Sequence, residues 1–214
     1  MNNLQQKLPV LSAFAAAVFF ISFGAFAGTV FGQTNYLITT NSVGDTKIGM
    51  TIGEARKVFK GAEFNQFDYG EEGIWIEVTD KDKLLIRFST DQKNAESDDD
   101  GRVAIDDSAK IERIEISNDS APYKTAEGIG VGSTVADAEK AFGRVTKIEL
   151  WEYDASEHAW FENGPPAYSF TINPAENADE DVSAGDYPAD EYSTTKYTAG
   201  AYISSITVSK EDLD

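Results

Sequence analysis

The chain has 214 residues, 41% of them hydrophobic and 12% aromatic, enough apolar material for one domain or two small ones and too much for a globally disordered chain. Its formal charge is −19, a surface that repels phosphate backbones and anionic headgroups, which argues against nucleic acid and leaves cations, basic peptides and basic proteins as partners. There is no cysteine, so disulfides, thiolate chemistry, cysteine zinc sites and a lipidated cysteine anchor are all excluded.

Met1 to Lys7 is polar, and an apolar run from Leu8 to Ala27 follows without a charge. The run ends Ala25-Phe26-Ala27, the small-x-small pattern that a signal peptidase reads, so residues 1–27 are expected to be a cleaved secretory signal peptide. A run of about 20 residues is also long enough to span a membrane, and an uncleaved anchor over 8–27 is the rival expectation. Either reading places the rest of the chain outside the cytoplasm, in the periplasm or secreted, and allows membrane association only through this segment.

After a short β-prone run at Tyr36 to Thr40 and a turn at 41–45, the chain states a phrase that it later repeats. Ile48-Gly49-Met50-Thr51-Ile52-Gly53-Glu54-Ala55-Arg56-Lys57-Val58-Phe59 returns in register, 83 positions on, as Val131-Gly132-Ser133-Thr134-Val135-Ala136-Asp137-Ala138-Glu139-Lys140-Ala141-Phe142. Thr51 with Glu54 three residues later is a capping box, and Thr134 with Asp137 is a weaker one because aspartate is shorter. Ile52, Ala55, Val58 and Phe59 make one apolar stripe, as do Val135, Ala138, Ala141 and Phe142. Gly61 and Gly143 stand where helices stop. The phrase therefore predicts a short helix at the start of each of two repeats.

Alternating segments follow each helix. In the first half, Ile74, Ile76 and Val78 share one face and Trp75 and Glu77 the other, and a hairpin leads to Leu84–Phe88. A polar loop over 90–101 contains Asp98-Asp99-Asp100, and Lys110–Ser117 closes the half. In the second half, Thr146–Tyr153 and Ala167–Ile172 read as strands. A stretch over 173–195, rich in acids and with Pro174 and Pro188, reads as an exposed loop too polar to pack. Ile206-Thr207-Val208-Ser209 matches Ile114-Glu115-Ile116-Ser117 at an offset of 92, the growth falling on that loop. The expected fold is α+β: two tandem repeats, 35–120 and 121–214, each a short helix packed on an antiparallel sheet.

Candidate chemistry is sparse. His158 is the only histidine, without a Gly-x-Ser-x-Gly elbow or the second and third His or Cys of a zinc site, and reads as a surface or structural residue. No cofactor is expected. Calcium is the one candidate, through the acidic loops, although neither Asp98-Asp99-Asp100-Gly101 nor Glu180-Asp181 has EF-hand spacing. A hydrolase using two carboxylates is a further alternative. Gly128 to Gly132 lacks the Lys-Ser or Lys-Thr of a phosphate loop, so Gly49 and Gly132 read as tight leads into the helices. Aromatic residues gather in the second half. A helix covering one face of a sheet would leave the other open, and Trp151, Tyr153, Trp160 and Phe161 are the candidate partner-binding residues, with burial in the core as the competing reading.

The Gly-x-Thr-x-x-Glu/Asp-Ala-x-x-x-Phe pattern at 49–59 and 132–142 resembles the small envelope modules of the outer-membrane assembly lipoprotein (SmpA/OmlA) type. Two in tandem resemble the β-lactamase inhibitory protein layout, and Thr125 to Thr134 looks like the same stretch of bacterial exported proteins. The resemblance implies an α+β module that binds proteins and carries no catalytic residues. The function expected is thus a non-catalytic, exported protein-binding module of the cell envelope, with an unidentified protein partner.

Overall fold

The structure, a computed structural model, describes residues 36–68, 74–81, 83–92, 104–117, 123–179 and 182–210. The expectations for the N-terminal segment 1–27 and for Asp98-Asp99-Asp100 fall outside these residues. The described residues all belong to one compact unit.

Three short strands, β1 (Leu37–Thr39), β2 (Ser42–Val43) and β3 (Thr46–Lys47), lead into helix α1 (Ile52–Val58), and four longer ones follow: β4 (Glu63–Asp68), β5 (Ile74–Asp80), β6 (Lys83–Thr90) and β7 (Ile111–Ser117). Then the pattern repeats. Strand β8 (Lys124–Thr125) leads into α2 (Val135–Phe142), followed by β9 (Val145–Trp151), β10 (Ser156–Phe161), β11 (Tyr168–Asn173), the two-residue β12 (Ser193–Thr194) and β13 (Tyr202–Ser209).

Both helices begin as their sequences require. Thr51 accepts from the Glu54 amide, and the Glu54 carboxylate accepts from the Thr51 amide at 2.9 Å, a complete capping box. Thr134 accepts from the Asp137 amide at 3.1 Å. The shorter Asp137 side chain instead takes the Thr134 hydroxyl proton at 2.8 Å and pairs with Lys140. Loop carbonyls cover further free amides: Ala109 O receives Ile52 N, and Ala201 O receives Val135 N. Of the predicted stripe, Ile52 and Ala55 are buried, but Val58 is exposed.

Gly49 and Gly132, the phrase glycines, have φ +82 and +81, and each donates its amide to the strand that closes its half, Gly49 to Ile111 O and Gly132 to Ile203 O. No neighbouring atom stands in the way of a Cβ at either position. Gly49→Ala and Gly132→Ala should each cost about 1–2 kcal/mol from backbone strain alone, read as a lowered urea midpoint at unchanged slope.

The expected α+β arrangement of two helix-on-sheet repeats is overturned. The described residues hold thirteen strands and only two short helices, and the fold is mostly β. Nine strands make one antiparallel sheet in the order β12-β9-β10-β11-β13-β7-β6-β5-β4, and β3-β2-β1-β8 make a second of four. The physical reason lies at the last strand of each half. Standing alone, β7 and β13 would each present a row of unpaired amides and carbonyls. They pair with each other instead, Arg113 to Ser117 against Ser209 to Ser205, and the halves become one sheet. Strands β1 and β8 also pair across the halves, in parallel, with the Tyr36 and Tyr123 rings 5.7 Å apart beside them.

One face of the large sheet carries a single core drawn from both halves, with Ile76, Ile86, Ile114, Ile116, Ile148, Ile206 and Val208 fully buried. Both helices pack there, Phe59 against Phe88 and Phe142 against Phe170. Among the described residues no helix packs on the other face, and the candidate site lies on it.

Candidate functional site

Side chains alternate across a strand, so every residue between two core positions points outward. The strand registers then place outward residues of successive strands side by side. One row runs Trp75, Ser89, Arg113, Ser209. The next runs Glu77, Arg87, Glu115, Thr207, Ser169. A third runs Ser117, Ser205, Thr171, His158, Glu149. Over β7, β13 and β11, where the halves join, the outward side chains of the second and third rows are mostly serines and threonines. Large side chains stand on both sides: Trp75 and Arg87 on one, His158, Trp151 and Tyr153 on the other. Short side chains between tall ones make a valley, with a volume of about 920 Å³.

The wall of the first half is an ion ladder. Arg87 binds Glu77 at 2.9 Å and Glu115 at 3.2 Å, three side chains on adjacent strands, and its guanidinium lies 5.9 Å from the Trp75 ring. Trp75 is only 9% exposed, and its buried indole Nε1 has no hydrogen-bond partner.

The wall of the second half is built on His158, which is buried. The Ser156 hydroxyl donates to Asp154 at 2.7 Å and therefore accepts from His158 Nε2 at 2.9 Å; Nδ1 faces the Ser169 hydroxyl at 3.4 Å. Trp151 stacks on the ring at 4.1 Å, with Trp160 at 6.3 Å. The proton of Ser156 is committed to the Asp154 carboxylate, so Nε2 carries the ring proton and Nδ1 is left as an acceptor toward Ser169. Equivalent positions in the two halves carry different residues: Trp75 corresponds to His158, Glu77 to Trp160, Arg87 to Ser169 and Glu115 to Thr207, as the matched pairings of Phe88 with Ile114 and of Phe170 with Ile206 require.

Burial holds the His158 imidazole below its ordinary pKa, opposed in part by Asp154 and Glu149. An unfolded histidine titrates near about 6.5, so just below that pH the unfolded state binds a proton that the folded state does not. The stability contributed is present above about 6.5 and is lost as pH falls from there toward the folded pKa. Urea unfolding should give a lower free energy at about pH 5.5 than at about pH 7.5, and His158→Gln, which removes the only histidine, should flatten that slope.

Of the predicted partner-binding residues, Trp151 is 47% exposed, Tyr153 78% and Trp160 36%. Trp151 and Tyr153 stand at the turn of the β9–β10 hairpin beside exposed Tyr192, whose carbonyl accepts from the Leu150 amide, and Trp160 stands further along the same outward face, opposite Lys147. Phe161 is a correction. It is buried on the core face against Phe142 and Phe170, because alternation along β10 sets it on the inward parity of Glu157 and Ala159, opposite to Trp160. The expectation of a fully exposed loop over 173–195 is also corrected. Glu157, buried on the core side of β10, accepts from the Ala184 amide at 2.6 Å, the Gly185 amide at 2.7 Å and the Tyr187 hydroxyl at 2.8 Å. Ala184 is fully buried, and Ser193–Thr194 pair with β9. Burial and the Glu157 carboxylate push the Tyr187 hydroxyl well above the usual tyrosine range. Among the described residues, no group of three or more His, Asp or Glu side chains converges to hold a metal.

Period-2 reading had placed Trp75 outward but did not mark it as a site. The signal that identifies the valley is the alternation Ser169-x-Thr171 and Ser205-x-Thr207-x-Ser209, hydroxyls on the outward parity of strands whose inward parity is Phe and Ile.

The fold and the open face together define a two-halved β-sheet protein with one layered face and one aromatic-walled valley. No family model matches the chain, and no curated protein does. The crystal structure of the uncharacterized protein yfeY from Escherichia coli is similar to it, with 14% identity and a TM-score of 0.50 over 81% of this chain and 99% of that one. At that identity the likeness shows the fold alone. Among the described residues, no helix is long and apolar enough to cross a membrane.

Proposed function

We propose that the chain is a non-catalytic, exported protein-binding module of a bacterial cell envelope, docking its partner on the outward aromatic face and turn of the β9–β10 hairpin. The observation that carries this reading is the grouping of Trp151, Tyr153, Trp160 and Tyr192, half of the large apolar side chains exposed on the described surface, on one hairpin and the segment beside it. Aromatic anchors of this kind supply most of the energy of protein interfaces. Glu149, Glu152 and Asp154 surround them, so the partner's facing surface is basic. The apolar segment ending at Ala27 and the likeness of the repeated phrase to envelope modules support export.

The test is a photo-crosslinking amino acid at Tyr153, with Lys57 on α1 as the control, in cells that make the protein. A discrete adduct from 153 that is missing from 57 and that weakens with Trp151→Ala is the expected result. Loss of an aromatic anchor should cost the complex about 2 kcal/mol, or roughly 30-fold in affinity. Equal labelling from both positions, or none from either, overturns the reading. A mature N-terminus at Gly28 in the envelope fraction would test export separately.

A further inference from the structure

We propose that the valley between the two walls binds a neutral oligosaccharide, lying along β11 and β13. All three tryptophans of the chain stand on this outer face. None serves the core, which is made of Ile, Val, Phe, Ala and a few tyrosines. A tryptophan ring offers a broad apolar plane with a polar edge, suited to a ligand whose rings are apolar on their faces and polar around their rims.

The floor favours the same ligand. Ser205, Thr207, Ser209, Ser169 and Thr171 offer hydroxyls that both donate and accept, and only short side chains keep the floor open. Ser205 already donates to Thr171 at 2.9 Å, which leaves its oxygen as an acceptor. A polyol meets such a surface with groups of both kinds. A peptide strand gains its recognition energy from main-chain hydrogen bonds at a sheet edge, and the floor strands lie in mid-sheet with neighbours on both sides.

Charge decides against the ionic alternatives. Four basic and four acidic side chains line the valley, Arg87 and Glu115 among them, so the lining is neutral on a chain of charge −19. A polyanion is repelled on approach, and a polycation finds no excess of carboxylates on the lining to hold it. The volume of about 920 Å³ lies at the upper end of ordinary ligand sites, as an oligomer rather than a single ring demands.

This inference goes beyond the protein-binding reading; Trp151 and Tyr153 line the valley as well as the hairpin turn, and the floor variants below, which leave the turn untouched, separate the two. The purified full chain is titrated with chitohexaose, cellohexaose and maltohexaose, followed by tryptophan emission and by calorimetry. Polygalacturonate and a neutral Ser/Gln peptide of similar length are the comparison arms. A saturable change with at least one of the three sugars is expected, weakened about tenfold by Trp151→Ala, which removes an exposed indole face from the wall. Ser205→Tyr or Thr207→Gln, which fill the floor, should abolish it, and Lys57→Ala on the far side should leave it unchanged. Silence from all three sugars up to about 10 mM with the circular dichroism of the folded chain intact overturns the proposal, as does binding of polygalacturonate or the peptide alone. Wild-type titration by both floor variants would overturn it equally.

Discussion

Glu157→Ala should lower the unfolding free energy by about 3–5 kcal/mol, a loss of roughly 10 °C in Tm, the largest effect expected of any single polar substitution here. The carboxylate receives three hydrogen bonds, two from the backbone of the loop and one from Tyr187, and all three donors lose their acceptor together. The Ala184 and Gly185 amides are buried, so water does not replace it without opening the loop. Glu157→Gln keeps one acceptor oxygen and should cost about half as much. Urea unfolding gives the free energies. Hydrogen exchange at 184–187 separates a local opening from a global one, and in Glu157→Ala these amides should exchange ahead of the sheet. Unchanged exchange there, with an unchanged urea midpoint, would show that the carboxylate does not hold the loop.

Ile206→Ala should cost about 3–4 kcal/mol, and it should do so for both halves at once. Ile206 is fully buried in β13 and pairs with Ile116 of the first half on one side and Phe170 of the second on the other. One continuous core lies behind it. Exchange-protected peptides from 83–90 and from 168–173 should therefore lose protection at the same urea concentration, in the parent chain and in the variant alike. Independent repeats would behave differently, with 83–90 keeping its protection while 168–173 lost it.

The sequence carried local structure well and the way its pieces meet poorly. Thr51, Glu54, Thr134 and Asp137 announce two helix starts because a cap is decided within four residues. Ile74 to Val78 and Tyr168 to Ile172 announce strands because period-2 alternation is local too. Nothing local says that Ile114 to Ser117 will pair with Ser205 to Val208, about 90 residues on, since the same alternation would serve a free edge or a partner strand. That one undetermined pairing separates two helix-on-sheet repeats from a single mostly β unit. The site was half legible for the same reason. Trp151, Tyr153 and Trp160 stand out as aromatic residues on outward positions. Phe161 does not belong with them, because as the strand neighbour of Trp160 it takes the opposite, inward parity. Glu157 looked like one acid among 37 until the fold brought Ala184 and Gly185 onto it.

The central place of β13 has a consequence for how the chain is made. It is the fifth of nine strands in the sheet, yet every other described strand precedes it in the sequence. During synthesis the ribosome releases β7 and β11 first, and each waits with an open edge until the final strand arrives between them. A nascent or truncated chain is thus two unfinished half-sheets, each a template for pairing with the wrong neighbour. Premature termination just before residue 202 should be far more harmful than the loss of a peripheral strand such as β12. A chaperone that shields those two edges would matter most in the interval before the last strand emerges.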